Sequence, residues 1–259
     1  MLVEARATTA RVARTFALAC RLLPRRIRAD VHRLYLVFRT LDDLVDEDDP
    51  RAPDALAAVE RWARGQAPGS REAAILADID SRHGLPRGAL LDFCRGMRDD
   101  LDALPIRSEE ELETYCYRVA GTVGVVMTAV LGVTTPRALP HAAALGKAMQ
   151  RTNIVRDIDE DLAGGRVYLA QETVARFGPP APGEREALLR DQIARADALY
   201  DEGIAGIPLL VHGRAAIRAA AAMYREILRQ IERDGYGARA GRAVVPPARK
   251  LLVAARASV

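Results

Sequence analysis

The chain has 259 residues, and apolar residues make up 49% of it while aromatic residues make up only 5%. Alanine supplies much of the apolar share, which suits long packed helices better than a β-sandwich. The 38 basic and 35 acidic residues are spread along the chain without a basic tail or stripe, so no nucleic-acid partner is expected.

The cysteines and the first residues indicate the compartment. Cys20, Cys94 and Cys116 are widely spaced and form no CxxC pair, which favours reduced thiols over a disulfide framework or a zinc site. Charged residues interrupt positions 1–14, unlike a secretory signal. The uncharged segment 119–133 is shorter than the roughly 20 residues of a membrane span. We therefore expect a buried core helix there and a cytoplasmic protein.

Two helices are predicted in the first half of the chain. Residues 24–46 repeat apolar side chains every 3.6 positions after an opening proline, and this helix ends in acidic residues. Ser108 and Glu111 form a capping box at the start of a second helix that runs to about Gly132. This helix is apolar on nearly every face after Tyr115, so it should be central in the fold.

A third helix is predicted from about Pro140 to Leu162, because Gly164 and Gly165 supply a stop signal, and residues 166–170 read as a loop. The loop-like stretches elsewhere are only about six residues long, which is typical of links inside one helical domain. No convincing strand pattern appears, so residues 1–259 are predicted to form a single all-α domain. Further helices are expected at about 5–22, 53–64, 71–82, 87–103, 184–206, 214–234 and 247–257.

The first acidic motif lies at the end of the helix predicted over 24–46. Asp42 and Asp46 are four residues apart, so both carboxylates project from one helix face, and Arg39 lies one turn earlier on a neighbouring stripe. Taken alone, the motif is most simply interpreted as a solvated acidic helix end. The helix macrodipole opposes carboxylates at this end, however, so the motif needs a cation or another compensating interaction.

The second acidic motif lies in the predicted helix 140–162. Asn153, Asp157 and Asp161 form a stripe at spacings of four residues, and Gln150 lies three residues before it. An apolar stripe runs beside these oxygen ligands, so they border the buried side of the helix. A merely solvated face is a weaker explanation here than for the first motif.

Two oxygen-rich stripes that face each other would form a cage for hard cations. Mg²⁺ typically takes one or two protein carboxylates together with phosphate oxygens of a substrate, so a diphosphate is the natural third partner. Without a metal, four or more clustered carboxylates would repel one another and raise one another's pKa. The sequence therefore predicts an obligatory cation between the two motifs.

The central helix carries small residues at Ala120, Gly121 and Gly124. Each glycine costs helix stability of about 1 kcal/mol relative to alanine, so some close approach is expected in return. Tight helix packing and an apolar ligand tunnel explain these residues equally well.

These motifs together resemble the squalene/phytoene synthase family, and the resemblance covers the chain from about Thr15 to Lys250. A DDxxD motif alone would be weak evidence, but the blocks occur in the family's order. The residues that carry the resemblance are Thr15-Phe16, Leu22-Leu23-Pro24, Tyr35, Arg39-x-x-Asp42-Asp43-x-x-Asp46, YCYRVAGTVG at 115–124 and QRTNIVRDIDEDLAGGRVYL at 150–169.

The resemblance implies an isoprenoid-synthase-type helical bundle in which two diphosphate sites flank a central apolar cavity. The implied ligands of Mg²⁺, or of Mn²⁺ in its place, are Asp42, Asp46, Asn153, Asp157 and Asp161. The implied phosphate contacts are Arg39, Arg156, Arg166, Arg242 and Lys250. Tyr115 matches the tyrosine that the family places near the reacting centre, where the four aspartates also act. The other implied substrate contacts are Tyr35, Val119, Ala120, Val123, Gly124, Met127, Gln150, Tyr168 and Tyr224.

In family terms, one allylic diphosphate ionises and its cation is attacked by the double bond of a second, so that proton loss gives a cyclopropylcarbinyl diphosphate. The substrates would be farnesyl or geranylgeranyl diphosphate, and the product of squalene, dehydrosqualene or phytoene type. The sequence leaves open the chain length, the use of NADPH and the oligomeric state. Any membrane contact is expected to be peripheral.

Two other interpretations of the resemblance remain. A protein of the same fold could pass the prenyl cation to a different acceptor, or cyclise it, with the same aspartates. A catalytically silent binding protein is a third possibility, although both acidic motifs are complete here. The chain departs from the family where an HSxSF-like stretch is usual, because Thr15 there replaces a serine and Val12 to Arg14 offer no hydroxyl.

Overall fold

The computed structural model describes residues 19–258, and their secondary structure is helical apart from one isolated bridge between Val133 and Leu210. The all-α prediction is confirmed. A π-helical segment, Tyr117–Gly121, joins α5 to α6, and a 3₁₀ turn, Ile207–Leu209, follows α9. The helices are α1 (Arg25–Asp46), α2 (Ala52–Ala63), α3 (Arg71–His83), α4 (Arg87–Leu101), α5 (Glu109–Cys116), α6 (Thr122–Leu131), α7 (Ala138–Ala163), α8 (Gln171–Phe177), α9 (Glu186–Ala205), α10 (Arg214–Arg233) and α11 (Pro247–Ser258).

The start of α5 shows how local chemistry places a helix. The Ser108 hydroxyl accepts a hydrogen bond from the Glu111 amide at 3.2 Å, as the capping-box pattern predicts. The Glu111 carboxylate accepts from the Arg107 amide at 2.6 Å, one residue before the amide that a complete capping box would use. Two amide donors near the start of α5 are therefore satisfied.

The continuous segment formed by α5, the π-helical segment and α6 is central and packs along α7. Glycines allow this contact on both sides. A side chain at Gly146 of α7 would overlap the carbonyl group of Ala120, and one at Gly124 of α6 would overlap the carbonyl oxygen of Ala142. For Gly124 the structure therefore favours the packing explanation over an open ligand tunnel.

Two apolar clusters flank this central pair. The first is built mainly from α1 to α4 and α6, and the second mainly from α5, α7, α9 and α10. Val119, in the π-helical segment, packs against both clusters. The π-helical segment therefore lies where the two halves of the core meet.

The predicted helices agree with the structure to within about two residues at most of their ends, and α7 begins at Ala138, two residues before the expected start. The helix expected at 5–22 lies mostly outside the described residues. The sequence did not predict α8 or the π-helical segment. The first turn of α8 is held by tertiary contacts, since the amides of Gln171 and Glu172 donate to the carbonyls of Ile106 and Arg107.

The stretch Glu109–Leu131 is long and apolar enough, by length and composition alone, to cross a membrane, and the mean hydropathy of its most apolar window is 1.3. Half of its most apolar window is buried within the fold, and α1, α4 and α7 pack around it. This packing is that of a core helix, as the sequence predicted for 119–133.

The close contact between α7 and the central segment can be tested at Gly146. We expect Gly146→Ala to lower the free energy of unfolding by about 1–3 kcal/mol, because overpacking against the backbone of Ala120 outweighs the better helix propensity of alanine. Urea unfolding measures the change. Gly88→Ala is the control, since that exposed position in α4 has no atom close to an added methyl group. Equal stability of both variants would contradict the close approach.

Candidate active site

The first acidic motif lies at the C-terminal end of α1, and the last turn of this helix contains no basic residue. The Arg39 guanidinium lies between two carboxylates, 2.7 Å from Oδ2 of Asp42 and in contact with Asp43. Its Nε is buried and has no hydrogen-bond partner. The compensating interaction that the sequence required is therefore supplied in part by an arginine of the same helix.

The second acidic motif lies on α7, where Asn153, Asp157 and Asp161 are all half-buried. Two arginines bind Asp157, because Nε of Arg156 is 2.7 Å from Oδ1 and Nε of Arg242 is 2.9 Å from the same oxygen. Arg242 therefore reaches the motif from the segment between α10 and α11.

Asn153 differs from the carboxylates in this motif. Its amide nitrogen donates to Oε1 of Gln150 at 3.3 Å, which places both predicted residues together. Its carbonyl oxygen is buried and accepts no hydrogen bond. A buried oxygen without a donor is costly unless another group binds it.

The loop after α7 connects the two motifs. Gly165 adopts φ +75°, and the next amide, that of Arg166, donates to the carbonyl of Asp161 at 2.8 Å. The Arg166 guanidinium then lies 3.1 Å from Oδ1 of Asp46 at the end of α1. The structure thus brings the two predicted acidic motifs together around one opening, the mouth of the candidate site, which lies between the end of α1 and the loop after α7.

Tyr115 and Tyr168 form the wall of this mouth. Their rings stack with centroids 5.4 Å apart, and Arg166 donates to the Tyr168 hydroxyl at 3.4 Å. The Tyr115 hydroxyl donates to Oδ2 of Asp100 at 3.2 Å. These four side chains line a groove of about 930 Å³ between the end of α4, the start of α5 and the loop after α7.

One carboxyl group in each acidic motif holds its proton more tightly than an isolated carboxyl group does. Burial and then the charge of Asp46 raise the pKa of Asp42 to about 7. Burial and then the charge of Asp157 raise the pKa of Asp161 to about 6. In each motif, the charge of a neighbouring carboxylate thus adds to the effect of burial on one carboxyl group.

Arginines separate the carboxylates of the metal-free site. Within residues 19–258, no three acidic, histidine or cysteine side chains gather closely enough to hold a metal ion as they stand. Arg39 and Arg166 occupy the first motif, while Arg156 and Arg242 occupy the second. The carboxylates of both predicted motifs are therefore held in ion pairs with arginines.

The remaining predicted polar contacts lie on three different helices, namely Tyr35 on α1, Tyr224 on α10 and Lys250 on α11. Tyr35 is half-buried one turn before Arg39, and burial raises its pKa to about 12. Tyr224 of α10 interacts electrostatically with both Tyr35 and Arg156, so it lies near α1 and α7. Lys250 is half-buried in α11, which packs on α10. Thr15 and Phe16 lie outside the described residues.

The predicted apolar contacts form a half-buried stripe on the π-helical segment and α6, namely Val119, Ala120, Val123 and Met127. Partial exposure is unusual on so central a helix, and it shows that accessible space adjoins the stripe. Met127 also lines a small apolar pocket together with Cys20 and Leu131.

Sequence reasoning missed Asp100. A signal was available, because Asp99 and Asp100 end α4 as Asp42 and Asp46 end α1, and the helix dipole opposes acid at both places. Asp99 is satisfied by Arg118 at 2.7 Å. Burial first, and then the charge of Asp46, raise the pKa of Asp100 to about 7.

Comparison with known proteins now decides the family. Residues 9–249 match the model of the squalene/phytoene synthase family. The chain belongs to the squalene/phytoene synthase family. Among its relatives in that family, the 15-cis-phytoene synthase of Synechococcus elongatus is 35% identical over 96% of this chain and 89% of the relative. The phytoene synthase of Thermus thermophilus is 38% identical over 86% of this chain and 80% of the relative.

Solved structures of this family agree. The crystal structure of a dehydrosqualene synthase in complex with a ligand has a TM-score of 0.89 at 28% identity, and the match covers 99% of this chain and 94% of that one. The predicted helical fold of squalene/phytoene synthases is therefore confirmed over nearly the whole chain.

The raised carboxylate pKa values predict how metal-free stability depends on pH. A carboxyl group whose pKa is higher in the folded protein stabilises it below the unfolded pKa, near 4, and this stability is lost as the pH rises to about 7. We expect Asp42→Asn to raise the melting temperature in chelator at pH 7.5 by a few degrees (about 2–4 °C) and to change it much less at pH 4. Equal shifts at both pH values would contradict a strained Asp42 carboxylate.

Proposed function

We propose that the protein is a prenyltransferase that joins two prenyl diphosphates head to head. Membership of the squalene/phytoene synthase family and similarity to phytoene and dehydrosqualene synthases support this activity. One structural observation supports placing this activity at the two acidic motifs. Arg166 draws the second motif's loop onto Asp46 of the first motif, beside the buried Tyr115.

The donor set fits a divalent cation. The buried Asn153 oxygen lacks a donor, and Asp42 and Asp161 carry raised pKa values that a nearby positive charge would relieve. Asp42, Asp46, Asn153, Asp157 and Asp161 would hold Mg²⁺, for which Mn²⁺ could substitute, because oxygen ligands suit both ions. When bound, the metal neutralises negative charge that develops on the departing diphosphate.

The arginines supply the second half of the diphosphate site. Arg39, Arg156, Arg166 and Arg242 each contact a motif carboxylate. Guanidinium groups bind phosphate oxygens through paired hydrogen bonds and stay charged throughout. A bound diphosphate therefore has four positively charged partners. Each arginine gives up its contact with a motif carboxylate and binds a phosphate oxygen instead.

The apolar stripe explains how a carbocation survives. Val119 and Val123 offer no nucleophile, and with Met127 they lie on the central segment, around which α1, α4 and α7 pack. A prenyl chain along this stripe excludes the water that would convert the cation to an alcohol. Tyr115 is the polar group at the mouth end of the stripe, where a proton must be lost.

The proposed reaction has two stages. The first diphosphate leaves one substrate, and the double bond of the second substrate attacks the resulting allylic cation. Loss of a proton closes a cyclopropane ring and gives a cyclopropylcarbinyl diphosphate. A second ionisation and rearrangement give another cation, which becomes the final hydrocarbon by losing a proton or, where NADPH is used, by taking up a hydride.

Product analysis tests this function directly. Purified protein is incubated with Mg²⁺ and either farnesyl or geranylgeranyl diphosphate, with and without NADPH, and the lipid extract is identified by mass. We expect a product with twice the carbon number of the substrate from at least one of them. An extract that contains only prenyl alcohol or a cyclised single chain would contradict head-to-head condensation.

A matched pair of variants shows whether product comes from the proposed site. Asp157→Asn should reduce turnover by about 10²-fold or more, because it removes a charge from the diphosphate and metal site. Asp92→Asn, which alters an exposed pair with Arg95 on α4, should keep wild-type turnover. Near-normal turnover in folded Asp157→Asn protein would overturn the site assignment.

A further inference from the structure

Asp100 is a carboxylate whose position needs an explanation. It lies in the last turn of α4, where the helix dipole disfavours negative charge, and it is half-buried. Asp42 and Asp46 lie close enough to repel it, while Arg166 attracts it without forming a salt bridge. Among the described residues, the closest polar contact of the Asp100 carboxylate is the hydrogen bond that it accepts from the Tyr115 hydroxyl.

The neighbouring residue shows that this arrangement is not a general property of the helix end. Asp99 lines the same groove but forms a salt bridge of 2.7 Å with Arg118. Asp99 is thus a structural ion pair, whereas Asp100 directs its carboxylate at a tyrosine of the active site. Carboxylates left without a cation in a cleft are typical of groups that handle protons.

Tyr115 cannot accept a proton without such a partner. Burial, and then the charge of Asp100, raise the pKa of the Tyr115 hydroxyl well above its ordinary value, so the phenol stays neutral. A neutral phenol is a very weak base, and it can take a proton only if it gives up its own at the same time. The hydroxyl already donates to Oδ2 of Asp100 at 3.2 Å.

We propose that Asp100 is the positioning residue of Tyr115, and that it receives the hydroxyl proton when Tyr115 takes one from the substrate. This inference rests on the proposed head-to-head reaction. The hydrogen bond of 3.2 Å supports it, because the Tyr115 hydroxyl already directs its proton at Oδ2 of Asp100.

The proton transfer conserves atoms and charge. A C–H bond breaks on the carbon that stands two bonds from the cationic carbon, and its electron pair forms the C–C bond between these two carbons, which closes the cyclopropane ring. The proton passes to the Tyr115 oxygen, and the original hydroxyl proton passes to Oδ2 of Asp100. The substrate cation and the carboxylate both become neutral. The groove of about 930 Å³ that Asp100 lines then gives the proton a route to solvent.

Asp100→Asn separates proton acceptance from mere support, since asparagine keeps the size and can still accept a hydrogen bond. We expect turnover to condensed product to fall by about 10²-fold or more, while substrate affinity changes by less than about threefold. The ratio of prenyl alcohol to condensed product should rise as it does in Tyr115→Phe. Asp99→Asn, the matched control, should keep the wild-type ratio.

Two further variants test whether Asp100 has only a structural role. The double variant Asp100→Asn/Tyr115→Phe should be no slower than the slower single variant, because both substitutions interrupt one relay. Asp100→Glu keeps a carboxylate and should recover part of the turnover. Thermal unfolding should show Asp100→Asn to be at least as stable as wild type without metal, because it removes a buried charge.

The outcomes distinguish this inference from the proposed function. A wild-type protein that forms no condensed product overturns the proposed function itself. If the wild type condenses its substrates, the inference is overturned by a wild-type product ratio in Asp100→Asn. It is equally overturned by losses that multiply in the double variant, or by no recovery in Asp100→Glu relative to Asp100→Asn.

Discussion

Carboxylates crowded at the ends of two helices repel one another, and this repulsion is the constraint on which the site depends. The metal-free protein meets it with arginines, which pair with Asp42, Asp46 and Asp157, and with protons, which the raised pKa values of Asp42 and Asp161 retain. A bound cation would replace the protons, and a bound diphosphate would replace the carboxylates as the partner of the arginines. The charges that hold these carboxylates together are therefore the ones that would recognise the substrate.

The rest of the fold holds these charges at one end of an apolar core. Gly146 and Gly124 let α7 and the central segment approach backbone to backbone, so the second motif stays in register with the π-helical segment. Val119 contacts both halves of the core at that point. A rigid apolar wall and a polar mouth thus share the same two helices, which is the combination that carbocation chemistry requires.

Much of this architecture could be predicted from local pattern. The 3.6-residue period defined α1 and the motif stripe of α7, and Ser108 marked the start of α5. Features that depend on contacts between distant segments could not be predicted. The start of α8 depends on two carbonyls from the loop before α5, and the importance of Asp100 becomes clear only when Tyr115 is seen beside it. The sequence around Tyr117–Gly121 likewise carries no local signal that marks the change from α-helix to π-helix.

The central claim is that the paired charges form one site for metal and diphosphate together. Titration calorimetry of Mg²⁺ into chelator-treated protein, with and without inorganic pyrophosphate and corrected for their complex in solution, tests it most directly. The account predicts that pyrophosphate strengthens Mg²⁺ binding by about tenfold or more, because each ligand releases the arginine–aspartate pairs that oppose the other. Equal Mg²⁺ affinity with and without pyrophosphate would contradict it.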